Sequence, residues 1–108
     1  MFYGLINGYD VYGVEPEQWK HQFNLMKARE KGYPPSWTRR YSYGVGENLP
    51  FADLFDMIST YQTLEHVQSH KKCFGEFNRV LRGGTYLFSA LTIGHFLRGI
   101  TEFLCFRL

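Results

Sequence analysis

Glycine and proline divide this chain into alternating extended and helical stretches, and that alternation limits the fold more than any other feature. Asn7-Gly8 signals a turn, and Asp10–Val14 after it is short and rich in β-formers. Glu15-Pro16 opens a helical stretch, because the missing N–H of proline costs nothing in a first turn. Over Glu17 to Lys31, Trp19, Phe23 and Met26 fall at i, i+4 and i+7 and predict one apolar stripe, with Lys20, Lys27 and Glu30 largely off it. Gly32 and Pro34-Pro35 stop that helix. Extended stretches are predicted over Thr38–Val45, closed by Gly44 and Gly46, and over Phe55–Tyr61. A second helix is predicted over Ser69–Arg82, with Cys73/Phe74, Phe77 and Val80/Leu81 as its stripe and Gly83-Gly84 as its stop. Gly75 inside it costs on the order of 1 kcal/mol against alanine, so packing around it is expected to offset that cost. Thr85–Leu91 is a continuous β-prone run, the pattern of a strand buried on both faces.

The order strand, helix, strand, strand, helix, strand argues for βαβ units on a largely parallel sheet, an α/β fold. Ligands of such sheets bind beyond the carboxyl ends of the strands. A length of 108 residues allows one small domain. With 44% hydrophobic residues and a formal charge of +2, the chain is neither disordered nor a dedicated nucleic-acid binder. Trp37, Arg39, Arg40 and Tyr41 do interleave aromatic and basic side chains, but adjacent arginines are more often a solvated strand face. No apolar stretch approaches the roughly 20 residues that span a bilayer; the longest, Thr85 to Leu97, contains His95. The first residues lack the basic region of a signal peptide, and Cys73 and Cys105 form no CxxC pair. A soluble, cytoplasmic domain without a disulfide framework, nucleic-acid partner or membrane span is expected.

Three strand-end loops carry the candidate chemistry. Glu15 follows the first strand, where two carboxylate oxygens can accept both hydroxyls of a ribose; an acid beside a helix N-terminus is the plainer alternative. The loop Gly44-Val45-Gly46-Glu47-Asn48-Leu49-Pro50-Phe51 has small residues that let backbone N–H groups approach a planar ligand, with Leu49 and Phe51 as walls of an adenine-sized slot. It lacks a third glycine and any Gly-Lys-Ser/Thr, so it is not a phosphate loop. The third loop, Thr60-Tyr61-Gln62-Thr63-Leu64-Glu65-His66-Val67, brings a carboxylate and an imidazole to one strand end, which suits acid–base work near neutral pH; a histidine that caps or orients a helix start is the equal alternative. His66 and His70 are four apart, but Glu65 precedes the first histidine rather than following it, so no zinc site is expected.

Taken together, Gly-Tyr-Asp-Val-Tyr-Gly-Val-Glu-Pro (8–16), Gly-Glu-Asn-Leu-Pro-Phe-Ala-Asp-Leu-Phe-Asp (46–56), Leu-Glu-His-Val (64–67) and Phe-Asn-Arg-Val-Leu-Arg-Gly-Gly-Thr-Tyr-Leu (77–87) resemble class I S-adenosylmethionine-dependent methyltransferases. The nearest type is the broad methyltransferase domain group that includes quinone-biosynthesis enzymes, and the likeness covers roughly residues 5 to 91. It implies S-adenosylmethionine as cofactor and a small-molecule methyl acceptor. Glu15 would take the ribose hydroxyls, and Gly46 would offer its N–H to the adenine, with Leu49 and Phe51 shaping that side. Thr60 and Tyr61 would lie beside the methionine portion. His66, the candidate catalytic residue, would face the substrate.

The resemblance has gaps. Val45 stands where the family often has an acid, and Arg82-Gly83-Gly84 where Lys-Pro-Gly-Gly is common. The family's opening strand and its Asp/Glu-x-Gly-x-Gly-x-Gly loop have no counterpart, because Met1–Asn7 matches the last turns of the helix that follows them. The expected fold is therefore a partial Rossmann-like methyltransferase sheet of about four strands and two main helices, lacking the central first strand. Residues 1–91 would form the partial domain and 92–108 an apolar tail. A gene fragment, a misassigned start or a degenerate paralogue would each produce such a chain. The strands flanking the gap are expected to pair directly or to splay, leaving exposed edges that favour self-association. The chain alone is expected to be inactive and to bind S-adenosylmethionine weakly or not at all. The alternative is a non-catalytic interaction module, or an oligomerising fragment, derived from a methyltransferase.

Overall fold

The computed structural model describes residues 1–52, 55–61, 67–90 and 103–107, with the backbone alone at 61 and 83–90. Helix α1 (Phe2–Ile6) turns through Gly8, whose φ of 84° suits glycine, into strand β1 (Asp10–Glu15). Helix α2 (Gln18–Glu30) follows Pro16 and ends before Gly32, at φ 72°. Its inward face is not the predicted one. His21 Nε2 lies 3.0 Å from the Tyr41 carbonyl oxygen, the Asn24 amide donates to the Tyr41 hydroxyl at 2.8 Å, and Ala28 is buried. Trp19, Phe23 and Met26 lie away from these contacts and are exposed by 65%, 48% and 46%. Small Ala28 and the polar pair on Tyr41 let the helix lie close to the sheet, and that outweighs the bulkier triad.

The extended stretch predicted over Thr38–Val45 shrinks to strand β2 (Tyr41–Tyr43), because Pro34 and Pro35 start a single helical turn, α3 (Pro35–Thr38). Arg40 pairs with Asp10 and lies over the Tyr12 ring at 4.5 Å. It is thereby engaged within the fold. Strand β3 (Phe55–Tyr61) spans the predicted residues. Helix α4 (His70–Val80) starts where the Ser69 hydroxyl accepts the Lys72 N–H at 3.2 Å, and it buries Cys73, Phe77 and Val80. Gly75 faces solvent, and an added methyl there would meet nothing within 4 Å, so no packing offsets its cost. Strand β4 (Leu81–Ala90) follows directly.

A fifth strand, β5 (Phe103–Arg107), arises from the stretch expected as an apolar tail. The sheet has the order β2-β1-β5-β3-β4. The β1/β2 and β3/β4 pairs are parallel, as predicted, whereas β5 runs antiparallel to both neighbours. The strands flanking the gap therefore neither pair directly nor splay, and about four strands become five. Two rows of backbone N–H and C=O groups facing one slot are costly to leave unmade, and any extended apolar segment can satisfy both. The alternation of β5 suits that place. Phe103 and Cys105 enter one core with Val14, Leu49, Phe55, Ile58, Cys73, Phe77 and Val80. Leu104 and Phe106 pack against the other, formed by Met1, Val11 and Tyr41. Among the described residues, no helix is long and apolar enough to cross a membrane.

Candidate active site at the carboxyl end of the sheet

The carboxyl ends of β1 and β3 flank the first residue of β5. Phe103 is in register with Val14 on one side and Thr60 on the other. Glu15 ends β1 almost fully buried, and one carboxylate oxygen accepts the Glu17 N–H at 3.2 Å, fixing the entry to α2. The Glu15 carbonyl accepts the Gly44 N–H at 3.1 Å, which ties the next loop to the same strand end. That loop tightens where the Asn48 N–H meets the Val45 carbonyl at 3.1 Å.

Gly46 is buried at the tip of the loop. A Cβ there would lie 2.5 Å from Phe103 Cζ and 3.0 Å from Cys73 Sγ, so the phenyl ring rests directly on this backbone. Glu47 reaches across to α4: one oxygen accepts the Gln68 N–H at 3.2 Å, and the other lies 3.6 Å from Cys73 Sγ as acceptor. Between these loops lies a cavity of about 540 Å³, lined by Glu17, Val45, Glu47, Ser69, Lys72 and Phe103 among others. That volume suits a small organic ligand, whose pockets run to roughly 300–1,000 Å³. Burial, then the Glu47 carboxylate, push the Cys73 thiol up to about 12. It stays protonated as a donor and is no nucleophile.

A latch on α4 holds the loop from behind. The Glu76 carboxylate accepts the Leu49 N–H at 2.8 Å, while Arg79 donates to the Phe51 carbonyl at 2.6 Å, the Leu49 carbonyl at 3.0 Å and Glu76 itself at 2.6 Å. The Arg79 hydrogen bonds hold the Glu76 carboxyl below its ordinary value. Sequence reasoning misses both residues. Their i, i+3 spacing on a helix signals an ion pair, but not that the pair reaches back to residues 49 and 51.

The structure brings some predicted site residues together and separates others. Glu15, Gly46 and Thr60 all lie at the carboxyl end of the sheet, with Glu15 and Thr60 buried on strands either side of β5, and of the three only Gly46 lines the described cavity. Leu49 turns into the main core, and Phe51 packs edge-on against Tyr12 and Phe55 at ring separations of 5.9 and 5.0 Å. Neither belongs to the described cavity lining. Tyr61 ends β3 opposite Ala90, and its side chain lies outside the described residues, as does His66. Among the described residues, no group of three or more His, Cys, Asp or Glu comes together to hold a metal ion.

A mixed sheet covered on both faces, with parallel pairs on either side of the antiparallel β5, defines a partial Rossmann-like α/β domain. Residues 3–89 match the family model described as "Methyltransferase domain", and the chain belongs to that family. Members use S-adenosylmethionine as methyl donor, so the family function is S-adenosylmethionine-dependent methyl transfer to a small-molecule acceptor. No curated protein and no solved structure matches the chain.

Proposed function

We propose that the cleft at the carboxyl end of the sheet is the cofactor site of this methyltransferase domain. The observation that carries the reading is the placement of Glu15, Gly46 and Thr60 at the carboxyl end of the sheet, with Gly46 in the wall of a cavity of about 540 Å³. Glu15 takes the ribose hydroxyls, and the Gly46 N–H takes the adenine edge. Thr60 and Tyr61 flank the methionine portion, and Leu49 and Phe51 support the adenine loop from the core side. On the ribose side a carboxylate stands at the end of β1, next in sequence to Pro16 and Glu17 of the cavity lining. The adenine side fits less well, because the Phe103 ring covers Gly46.

The bound cofactor supplies a methyl group activated on a sulfonium. The protein has only to align an acceptor in line with that methyl and exclude water. His66 serves as a base only for an acceptor that must lose a proton. Val45 in place of an acid and the Phe103 ring over Gly46 support the reading that this chain alone turns over no substrate. We place the protein in the cytoplasm, supported by two free thiols, Cys73 and Cys105. Self-association through the outer sheet edges, at β2 and β4, belongs to the same proposal; a single monomeric species in sedimentation velocity at high concentration would remove it.

Saturation-transfer NMR with S-adenosylhomocysteine tests the site. Contact at the ribose and adenine protons is expected at millimolar ligand, with the ribose signals lost in Glu15→Ala. Ribose contact unchanged in Glu15→Ala would overturn the assignment of Glu15, and micromolar binding by the unaltered chain would overturn its expected weakness.

A further inference from the structure

We propose that β5 is an intrasteric block, its Phe103 side chain standing in for the planar base that the cleft would otherwise admit. The inference rests on the cofactor-site reading above and names what regulates that site. Four observations converge on it. Phe103 lies between Val14 and Thr60, at the strand ends where ligands of such sheets bind. Its ring tip presses on the Gly46 backbone so closely that an added methyl would sit 2.5 Å away. Phe103 is one of the residues around the 540 Å³ cavity, and it is wholly buried. Finally, β5 lies beyond residues 3–89, so the block is built from a segment outside the part matched to the family.

The chemistry of the exchange is simple. A phenyl ring and a purine are both flat and apolar-faced, and both gain from contact with a glycine backbone and the Phe77 ring, whose centroid is 5.8 Å from that of Phe103. The tethered ring is always present, so a free nucleoside must first displace it. The apparent affinity then falls by the fraction of molecules in which the ring is out. Removing the ring removes that penalty and leaves a space that opens into the cavity.

Titration calorimetry of the full 108-residue chain, as unaltered protein, Phe103→Ala and Phe103→Leu, tests the block with S-adenosylhomocysteine, adenosine and indole. S-adenosylhomocysteine should bind Phe103→Ala about tenfold or more tightly than the unaltered chain, with Phe103→Leu between them. Chemical-shift changes should centre on Gly46 and Thr60. Gain of adenosine affinity without gain for S-adenosylhomocysteine would leave the block standing and remove the cofactor reading. Equal nucleoside affinity in all three proteins, or a gain for indole alone, would overturn the block, since the ring would then only fill core volume. Where Phe103→Ala fails to give a dispersed amide spectrum, the Phe103→Leu comparison decides by the same criteria.

Discussion

Two glycines in this molecule behave in opposite ways, and the difference is one of surroundings. Gly46 has no room for a side chain, because Phe103 Cζ and Cys73 Sγ would lie 2.5 and 3.0 Å from its Cβ. The Phe103 backbone is held in register on both sides, so its ring makes room only by leaving the cleft. Gly46→Ala is therefore expected to destabilise the chain by about 1–3 kcal/mol, read from urea denaturation. Gly75 sits on the exposed side of α4 with nothing within 4 Å. Gly75→Ala is expected to stabilise by about 0.5–1 kcal/mol, through helix propensity and a less free unfolded chain. Thermal unfolding should rise by about 4 °C; no rise would mean that the helix needs glycine there. The cost of Gly75 is legible in the sequence, but its surroundings are not. A glycine contributes nothing to an apolar stripe, so only the burial of its neighbours shows which way it faces. Gly75 lies between exposed Phe74 and half-buried Glu76, on the side away from Cys73 and Phe77.

The elements differ in how far local pattern reveals them. Helix α4 is legible in most of its stripe: Cys73, Phe77 and Val80 are buried as predicted, while Phe74 is exposed and the helix gives way to β4 at Leu81, short of the predicted Arg82. Helix α2 is legible as a helix but not in its facing, since its contacts run through His21, Asn24 and Ala28 rather than its largest apolar residues. Strand β5 escapes sequence reading altogether. Its signal is present in Phe103-Leu104-Cys105-Phe106, an apolar run of the kind that central strands show, but sequence alone does not say which gap such a run fills. The latch from α4 to the loop after β2 gives two tests. Arg79→Ala takes donors from the Leu49 and Phe51 carbonyls, and amide exchange at Asn48, Leu49 and Phe51 should quicken severalfold while the core of α4 stays protected. Glu76 has a carboxyl lowered chiefly by Arg79. Its contribution is complete above the ordinary carboxyl range and lost as pH falls through the lowered native value. The stability gap between the unaltered chain and Glu76→Gln should therefore close in acid, and a gap constant from neutral to acid pH would refute the latch.

At the scale of the whole molecule, the two buried thiols set an alkaline limit. Burial pushes Cys105 up to about 12, and burial with Glu47 does the same for Cys73, from an ordinary value of 9.0. Unfolding releases both protons once the pH exceeds 9.0, so stability is full below that value and declines as pH rises towards about 12. Urea midpoints measured across this range should fall steadily, and a thiol reagent at mildly alkaline pH should modify the chain only as fast as it unfolds. The antiparallel placement of β5 has one more consequence, for synthesis. Strands β1 to β4 emerge from the ribosome before β5 does, and both inner edges of the future sheet wait for it. The middle of the sheet is thus its last part to be made. Contacts joining Asp10–Val14 to residues 103–107 span nearly the whole chain, and closing such distant pairs slows folding. Until then the nascent chain carries two open β-edges, the state in which a chaperone, or a neighbouring nascent chain, would most readily engage it.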